Sequence, residues 1–262
     1  MAAKIDKIIK KHKGCIFLLL DFDGTLSTIV KKPEIATLSK GIKPILRSLA
    51  NNKRSVILGI ISGRELKNVK KKVGINNIYY AGNHGLEISG PGITFTLKEA
   101  KAVRPIIKNI RKELRRATGE IKGVMVEDKG FSLSLHYRLI KSGDLQKVKK
   151  AFVKIMSKHV ARNKIRINYG KKVFEVKPKV NWDKGKASLL LLKLIRSKKK
   201  NILPVYIGDD RTDEDAFTAL KGKGVTILVG SHGGKTSAKY RLKNVSDVTA
   251  LLKRVNKLYN NA

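Results

Sequence analysis

The sequence has little cysteine and no long hydrophobic run. Cys15 is the single cysteine among 262 residues, so an internal disulfide is excluded, and without a cysteine cluster a structural zinc site is not expected. The apolar run at 15–20 has six residues, far fewer than the roughly 20 that a membrane-spanning helix needs. It follows a basic start but stops at Asp21, so it is too short for a secretory signal. These absences favour a cytoplasmic protein that binds no membrane.

Acidic residues are also scarce. The chain has 20 Asp and Glu against 58 Lys and Arg, for a formal charge of +38. Such an excess favours association with nucleic acid or another anionic surface, because basic side chains neutralise phosphates. However, the 44 lysines are spread along the whole chain, and no zinc-finger spacing, basic leucine zipper or aromatic-interleaved basic strand is present. A uniformly basic, solvated surface is the favoured interpretation, and non-specific nucleic-acid binding stays open.

The 42% of hydrophobic residues excludes a disordered chain and supplies core for one or two domains. Continuous apolar runs at 16–20, 56–61 and 205–207 each end in a polar loop, which is typical of strands covered on both faces of a parallel sheet. Helical patterns lie between them, as at 66–73. We predict a doubly wound α/β core in two parts, residues 1–84 and 179–262.

The pattern changes between these two parts. A helical pattern that starts at Val103, with Pro105 expected in its first turn, is followed by two strand patterns, and the order helix, strand, strand then repeats. The second strand, 131–137, alternates apolar and polar residues, so one face is expected to meet a core and the other to stay open. We predict that residues 85–178 form an inserted α+β cap domain.

Seven of the 20 acidic residues fall in two short windows. Clustered like charges cost stability unless a cation or a reaction needs them. Both windows follow predicted strands, so their carboxylates converge on one crevice if the strands are neighbours in a parallel sheet. Oxygen ligands with no His or Cys nearby favour Mg²⁺. The seven residues are Asp21, Asp23, Asp209, Asp210, Asp213, Glu214 and Asp215.

Two further residues complete a candidate phosphate site. Ser62 follows the second strand, where its hydroxyl can donate to a phosphoryl oxygen, cap the next helix, or do both. Lys184 precedes a glycine and an apolar helix, where its charge can neutralise a phosphoryl group. Together with the acidic windows, these residues point to phosphate-ester chemistry.

These residues resemble the four motifs of the haloacid dehalogenase superfamily of phosphatases, which are Asp-x-Asp-Gly-Thr, Ser or Thr, Lys, and Gly-Asp-Asp-x-x-Asp. More narrowly, the chain is similar to the trehalose-6-phosphate phosphatase family over nearly its whole length. Sucrose-phosphate and mannosyl-phosphoglycerate phosphatases share the core and a related cap, so the sugar stays open. The matching segments are LLLDFDGTL at 18–26, ISGR at 61–64, AGNHGLE at 81–87, FEVKPKVNWDKGK at 174–186 and YIGDDRTDEDAF at 206–217.

The resemblance implies a Mg²⁺-dependent phosphatase that forms an aspartyl-phosphate. Asp21 would be the nucleophile, and Asp23 would act first as general acid and then as general base. Ser62 and Lys184 would bind the phosphoryl group, and Asp210 would orient Lys184 or the metal's waters. The implied metal ligands are the Asp21 carboxylate, the Asp23 backbone carbonyl and Asp209, with Asp213 in support.

The resemblance also implies residues that contact the sugar. Glu127 and Lys129 match a Glu-x-(Asn or Lys) pattern in the cap, and Glu175 matches the glutamate that precedes Pro178. Thr25, Arg64 and His84 are expected to contact substrate in the crevice, and His136 is a weaker candidate. An exposed strand position or a hydrogen-bonded turn histidine would explain several of these residues equally well. The expected partner is a small sugar phosphate, and the protein is expected to be a monomer. A basic nucleic-acid-binding protein on an inactive phosphatase scaffold is the alternative.

Overall fold

A computed structural model of the chain describes residues 2–30, 33–161, 163–170 and 172–260. It divides into two units, a core unit of Met1–Phe95 with Trp182–Ala262 and an inserted unit of Thr96–Asn181. Both junctions lie later in the chain than the predicted ones after residues 84 and 178. The first junction lies later than predicted because two short strands after residue 84 still belong to the core sheet.

Both units are built from helices and strands. In chain order they are α1 (Ala2–Lys11), β1 (Cys15–Leu20), α2 (Ile42–Asn51), β2 (Val56–Ile61), α3 (Leu66–Val73), β3 (Tyr79–Gly82), β4 (Glu87–Gly90), β5 (Ile93–Thr96), α4 (Lys98–Thr118), β6 (Met125–Asp128), β7 (Leu133–His136), α5 (Leu145–Val160), β8 (Ile165–Gly170), β9 (Val173–Pro178), α6 (Lys184–Arg196), β10 (Ile202–Gly208), α7 (Glu214–Leu220), β11 (Val225–Val229), β12 (Tyr240–Leu242) and α8 (Val245–Asn260).

The larger sheet has the strand order β12-β11-β10-β1-β2-β3-β4-β5. Neighbours from β12 to β3 are parallel, and β4 runs antiparallel to β3. Alternate side chains of β1 enter different clusters: Leu18 and Leu20 pack with helices α1, α2, α3 and α8, whereas Phe17 and Leu19 pack with α6 and α7. Because both faces are covered, every residue of β1 is apolar. The predicted doubly wound parallel α/β core is confirmed.

Strands β4, β5 and β12 were not predicted. They have four, four and three residues, and most of these residues are partly exposed. They lie at the two edges of the sheet, where a strand is covered on fewer sides. The sequence therefore carries no continuous apolar run at these positions.

The inserted unit contains a four-stranded antiparallel sheet in the order β6-β7-β9-β8. Helices α4 and α5 cover one face, where the ring of Phe152 stacks on Phe174 with centroids 4.4 Å apart. Leu133 and Leu135 of β7 point into this core, whereas Ser134 alternates with them and points to the opposite face. The predicted repeat of helix, strand, strand is present. The opposite face is polar as predicted, but it does not stay open throughout, because Ser132 and Ser134 on it are buried.

The sequence predicted Pro105 in the first turn of its helix, but Pro105 lies well inside helix α4. The helix begins at Lys98, before the apolar pattern that starts at Val103. Proline has no N–H, so the carbonyl of Lys101 lacks its usual helical partner. Both residues are exposed, which leaves that carbonyl accessible to water.

No helix in the described parts of the chain combines the length and apolar composition needed to cross a bilayer. This agrees with the short apolar runs noted in the sequence.

Candidate active site

The acidic windows and Ser62 converge because of strand register. Leu20 at the end of β1 pairs with Ile207 of β10 on one side and with Ile60 of β2 on the other. The residues that follow these three strands therefore emerge at the same edge of the sheet. Carboxyl ends of neighbouring parallel strands are the usual ligand site in this fold class. The predicted convergence of the two acidic windows is confirmed.

The ammonium group of Lys184 lies at the centre of this edge. It is 2.8 Å from Asp21 Oδ1, 2.8 Å from Asp213 Oδ1 and 3.9 Å from Asp210 Oδ1. Only 2% of the Lys184 side chain is exposed. Lys184 is the first residue of α6, and the Asp183 carboxylate caps that helix by accepting a hydrogen bond from the Lys186 N–H at 2.8 Å. The helix start therefore fixes where the lysine enters the site.

Asp213 is fully buried and accepts four hydrogen bonds. Lys184 Nζ and the Tyr206 hydroxyl donate to Oδ1, at 2.8 and 2.7 Å. The backbone N–H groups of Asp209 and Asp210 donate to Oδ2, at 3.0 and 3.1 Å. The Asp213 carboxylate thus shapes the loop after β10 and anchors Lys184 at the same time.

Burial sets the electrostatics of the site. It would lower the pKa of Lys184, but the Asp21 and Asp213 carboxylates outweigh it and raise that pKa well above its usual value, so the lysine is a cation. Burial raises the pKa of Asp21 well above its usual value, although Lys184 opposes the change. For Asp210, whose side chain is partly exposed, the remaining desolvation is outweighed by Lys184 and by hydrogen bonds, and the pKa is lowered. Burial and the neighbouring carboxylates raise the pKa of Asp209 to about 8.

Asp21, Asp209 and Asp213 can each offer one oxygen so that the three oxygens lie within 4.8 Å of one another. Asp209 Oδ1 is buried and has no hydrogen-bond partner in the described part of the chain. Gly24 has φ +82°, and a Cβ at this position would overlap the Asp209 carboxylate, so the glycine makes room for it. An orphaned oxygen in a crowded set of carboxylates fits a hard divalent cation, because such a cation supplies both the missing partner and the missing positive charge.

Asp23 is held by Arg64. The guanidinium donates from Nε to Asp23 Oδ2 at 2.7 Å and from a terminal nitrogen to Oδ1 at 2.6 Å. Arg64 also lies over the Phe22 ring, 5.3 Å from its centroid. Arg64 was expected to contact substrate, but its strongest contacts in the structure are with the candidate acid and base. The sequence does not predict this contact, because Asp23 and Arg64 are 41 positions apart in the chain.

Ser62 is buried and its hydroxyl accepts a hydrogen bond from the Arg64 N–H at 3.1 Å. The suggested role of Ser62 as a helix cap is wrong, because α3 begins at Leu66 and the Leu66 N–H donates to the Glu87 side chain at 2.9 Å. Because the Ser62 oxygen acts here as an acceptor, its hydroxyl proton can still be donated to another group. His84 lies close to the next residue, Gly63, since a Cβ on Gly63 would be 2.8 Å from the His84 ring.

Thr25 is fully buried, and its hydroxyl has no hydrogen-bond partner among the residues that the structure describes. Its expected contact with substrate stays a prediction.

The three cap residues singled out in the sequence also come together, on the polar face of the inserted unit's sheet. Lys129 Nζ lies 3.8 Å from a Glu127 oxygen and 3.5 Å from a Glu175 oxygen. Strand register explains the grouping, because Glu127 pairs with Ser134 of β7, which pairs in turn with Glu175 of β9. His136 joins the group with Nε2 2.9 Å from Glu127.

Two residues of these sites were missed from the sequence. Tyr206 lies in the apolar strand β10 and looks like a core residue, yet its hydroxyl binds Asp213. Lys177 is one of many lysines, but it is buried and its Nζ lies 2.7 Å from Glu175 Oε2. Its alternation with Phe174 and Val176 along β9 is the one signal that would have placed it on the polar face.

Comparisons with known proteins agree with this geometry. A family model described as trehalose-phosphatase matches residues 19–246. The chain is 37% identical over 265 residues to the probable trehalose-phosphate phosphatase D of Arabidopsis thaliana, covering 95% of this chain and 70% of that protein. It is similar to the C-terminal domain of Candida albicans trehalose-6-phosphate phosphatase, with a TM-score of 0.78, 24% identity and coverage of 98% of this chain and 97% of that one.

A haloacid dehalogenase-like hydrolase from Bacteroides thetaiotaomicron has a similar structure, with a TM-score of 0.59, 14% identity and coverage of 92% and 99%. At this identity the likeness concerns the fold alone. The haloacid dehalogenase-like fold expected from the four motifs is confirmed.

The Glu175 ion pairs predict a pH-dependent stability. Burial alone would raise the pKa of Glu175, but Lys129 and Lys177 outweigh it and lower the pKa below its usual value of about 4.5. A lowered pKa stabilises the folded state above the usual value, and this contribution is lost as the pH falls through the folded-state pKa. Glu175→Gln should therefore lower the free energy of unfolding by about 1–3 kcal/mol at neutral pH, where it leaves Lys177 without its carboxylate.

Chemical denaturation at a series of pH values measures this effect. The deficit of Glu175→Gln should shrink as the pH falls from about 6 to about 3. Glu120→Gln, at an exposed position, is the matched control and should follow the parent protein throughout. A deficit that stays constant over this range would contradict the ion-pair explanation.

Proposed function

Because the chain belongs to the trehalose-phosphatase family and is a phosphatase, we propose that it converts trehalose 6-phosphate and water to trehalose and phosphate, with Asp21 as nucleophile. One observation carries the catalytic assignment. Lys184 holds Asp21 at the end of β1, beside Asp209 and Asp213 from the loop after β10. This arrangement brings a nucleophile, a phosphate-binding cation and a candidate metal site to one place.

In the first step, an Asp21 carboxylate oxygen attacks phosphorus and the bond from phosphorus to the sugar oxygen breaks. Asp23 gives its proton to that leaving oxygen. In the second step, Asp23 takes a proton from water, whose oxygen attacks the aspartyl-phosphate and releases phosphate. Lys184 and the Ser62 hydroxyl donate to the phosphoryl oxygens, where negative charge has to be stabilised.

The contact between Asp23 and Arg64 adds a requirement to this scheme. Both carboxylate oxygens of Asp23 accept from Arg64. For Asp23 to carry a proton and deliver it to the sugar oxygen, one of these hydrogen bonds has to be given up, so that the freed oxygen holds the proton and faces the substrate. We therefore assign Arg64 as a residue that positions Asp23, in addition to any contact with the substrate.

Mg²⁺ is the cation we propose for the carboxylate set. Asp21 and Asp209 would hold it through carboxylate oxygens, with the Asp23 carbonyl as a further ligand and Asp213 in support. When bound, the metal would supply positive charge to the phosphoryl group and offset repulsion among the carboxylates. The buried, unpartnered Asp209 Oδ1 supports this assignment.

We propose that the sugar is recognised by the polar face of the inserted unit, through Glu127, Lys129 and Glu175. Carboxylates accept hydrogen bonds from sugar hydroxyls, and Lys129 lies between the two glutamates so that all three side chains support one another's positions. His84 and Thr25 are proposed contacts within the core unit.

We further propose a cytoplasmic location, which suits a single buried and unpaired cysteine, Cys15.

Asp21→Asn should reduce phosphate release from trehalose 6-phosphate by at least about a thousandfold, because an amide does not form the aspartyl-phosphate. Phosphate release in the presence of Mg²⁺ measures this loss. Asp144→Asn changes a surface carboxylate paired with the exposed Lys147, and it should retain the parent's rate. Activity that persists in Asp21→Asn would refute the nucleophile.

The same assay tests the substrate when it is run on trehalose 6-phosphate, sucrose 6-phosphate, mannosyl-3-phosphoglycerate and glucose 6-phosphate. The highest kcat/KM should be on trehalose 6-phosphate. A clear preference for another member of the set would refute the substrate while leaving the phosphatase chemistry intact.

Asp209→Asn should weaken Mg²⁺ binding by at least about tenfold, because it removes a charged ligand from the carboxylate set. Calorimetric titration with Mg²⁺ and the Mg²⁺-induced rise in melting temperature both measure this. Asp215→Asn removes an exposed charge from the same acidic window and should titrate like the parent. If Asp209→Asn and the parent bind Mg²⁺ equally, the proposed site is wrong.

A further inference from the structure

The inserted unit contains a basic cleft that plays no part in the proposed chemistry. It lies between helix α4 and the turn after strand β6, and its volume is about 510 Å³. Small-molecule sites in proteins typically span roughly 300–1,000 Å³. The lining residues are Lys101, Arg104, Pro105, Lys108, Arg111, Asp128 and Gly130.

Four of the lining residues are cations on one face of α4, since they recur every three or four positions. Asp128 is the one carboxylate of the lining, and it pairs with Arg111. Within the described ranges, Lys101, Arg104 and Lys108 have no carboxylate at ion-pair distance. The cleft therefore concentrates positive charge that its own walls do not neutralise.

One contact shows that a cation of the cleft is partly prearranged, and one unpartnered donor points to a missing acceptor. The Arg104 guanidinium lies over the Phe131 ring, 5.6 Å from its centroid. Arg111 Nε is buried and has no hydrogen-bond partner among the residues described. A buried donor without an acceptor is costly, and an anion in the cleft would supply the acceptor.

We propose that this cleft binds a small oligophosphate, a ligand with two or more adjacent phosphoryl groups. The cations from Lys101 to Arg111 extend over about 15 Å of helix. A short phosphate chain meets several of them at once, whereas a single phosphate meets fewer. Arg104 and Arg111 present planar forks that suit phosphoryl oxygens.

The cleft is joined to the proposed sugar-binding face by one short turn. The Asp128 carboxylate accepts a hydrogen bond from the Gly130 N–H at 2.9 Å, and Lys129 lies between these two lining residues. An occupied cleft therefore contacts the same turn that positions Lys129. The binding test needs no catalytic activity, so its failure is distinguishable from a failure of the proposed function.

Calorimetric titration of the full chain with inorganic tripolyphosphate, at about 0.15 M salt to screen diffuse attraction, tests the proposal. At the cleft, the parent should bind tripolyphosphate at least roughly tenfold more tightly than orthophosphate; phosphate bound at the proposed active site is recognised because the cleft variant leaves it unchanged. Lys101→Ala with Lys108→Ala should weaken tripolyphosphate binding at least roughly tenfold. Arg111→Lys keeps the charge but removes the Nε donor, and it should weaken binding several-fold.

Lys149→Ala with Lys150→Ala is the matched control, because it removes the same charge from exposed positions of α5 in the same unit. This variant should bind tripolyphosphate within about twofold of the parent. Equal losses in the control and in the cleft variant would overturn the proposal in favour of diffuse charge. An orthophosphate affinity that falls in the cleft variant as much as the tripolyphosphate affinity does would overturn the choice of an oligophosphate. Binding of a nucleic-acid duplex more tightly than tripolyphosphate, with the same loss in both double variants, would overturn the proposal too.

Discussion

A buried lysine cation is the interaction on which the rest of the site depends. Lys184 is almost fully enclosed and contacts two buried carboxylates, Asp21 and Asp213, that belong to different segments of the chain. Burying any one of these charges alone would be strongly unfavourable. Together they compensate one another, and the Asp213 contacts extend the arrangement to Tyr206 and to the loop that carries Asp209 and Asp210.

The parallel sheet positions the acidic residues, and Lys184 supplies positive charge that stabilises them. Strand register brings the ends of β1, β2 and β10 to one edge. Without a cation, the acidic residues at that edge are unfavourable as anions: burial first, and the neighbouring carboxylates second, raise the pKa of Asp209 to about 8. The carboxylates outnumber the lysine, so the divalent cation proposed for this site would complete the balance of charge. This local need for positive charge exists although the chain as a whole is strongly basic.

Much of this arrangement could be predicted from the sequence, for identifiable reasons. The run 15–20 is apolar throughout because β1 is covered on both faces, and this marked Asp21 as a residue at a strand's end. The clustering of seven acidic residues in a chain with so few was a second strong signal. In the inserted unit, alternation along β7 predicted the polar face that carries Ser134 and His136.

The residues that were missed lack such signals. Tyr206 sits among apolar residues of β10, so only its hydrogen bond to Asp213 identifies it. Lys177 is hidden among 44 lysines. The contact between Arg64 and Asp23 depends on side-chain geometry across two strands, and the edge strands β4, β5 and β12 are too short to show a pattern. Tertiary contacts decide all of these features.

The most direct test of the central claim is a double-mutant cycle of Lys184→Met and Asp213→Asn, in which the free energy of unfolding is measured in the presence of a chelator. Each single variant should cost about 3–5 kcal/mol, because it removes one of the buried charges that compensate the others. If the two groups depend on each other as described, the double variant should cost at least about 2 kcal/mol less than the sum of the single variants. Additivity within about 0.5 kcal/mol would contradict the account.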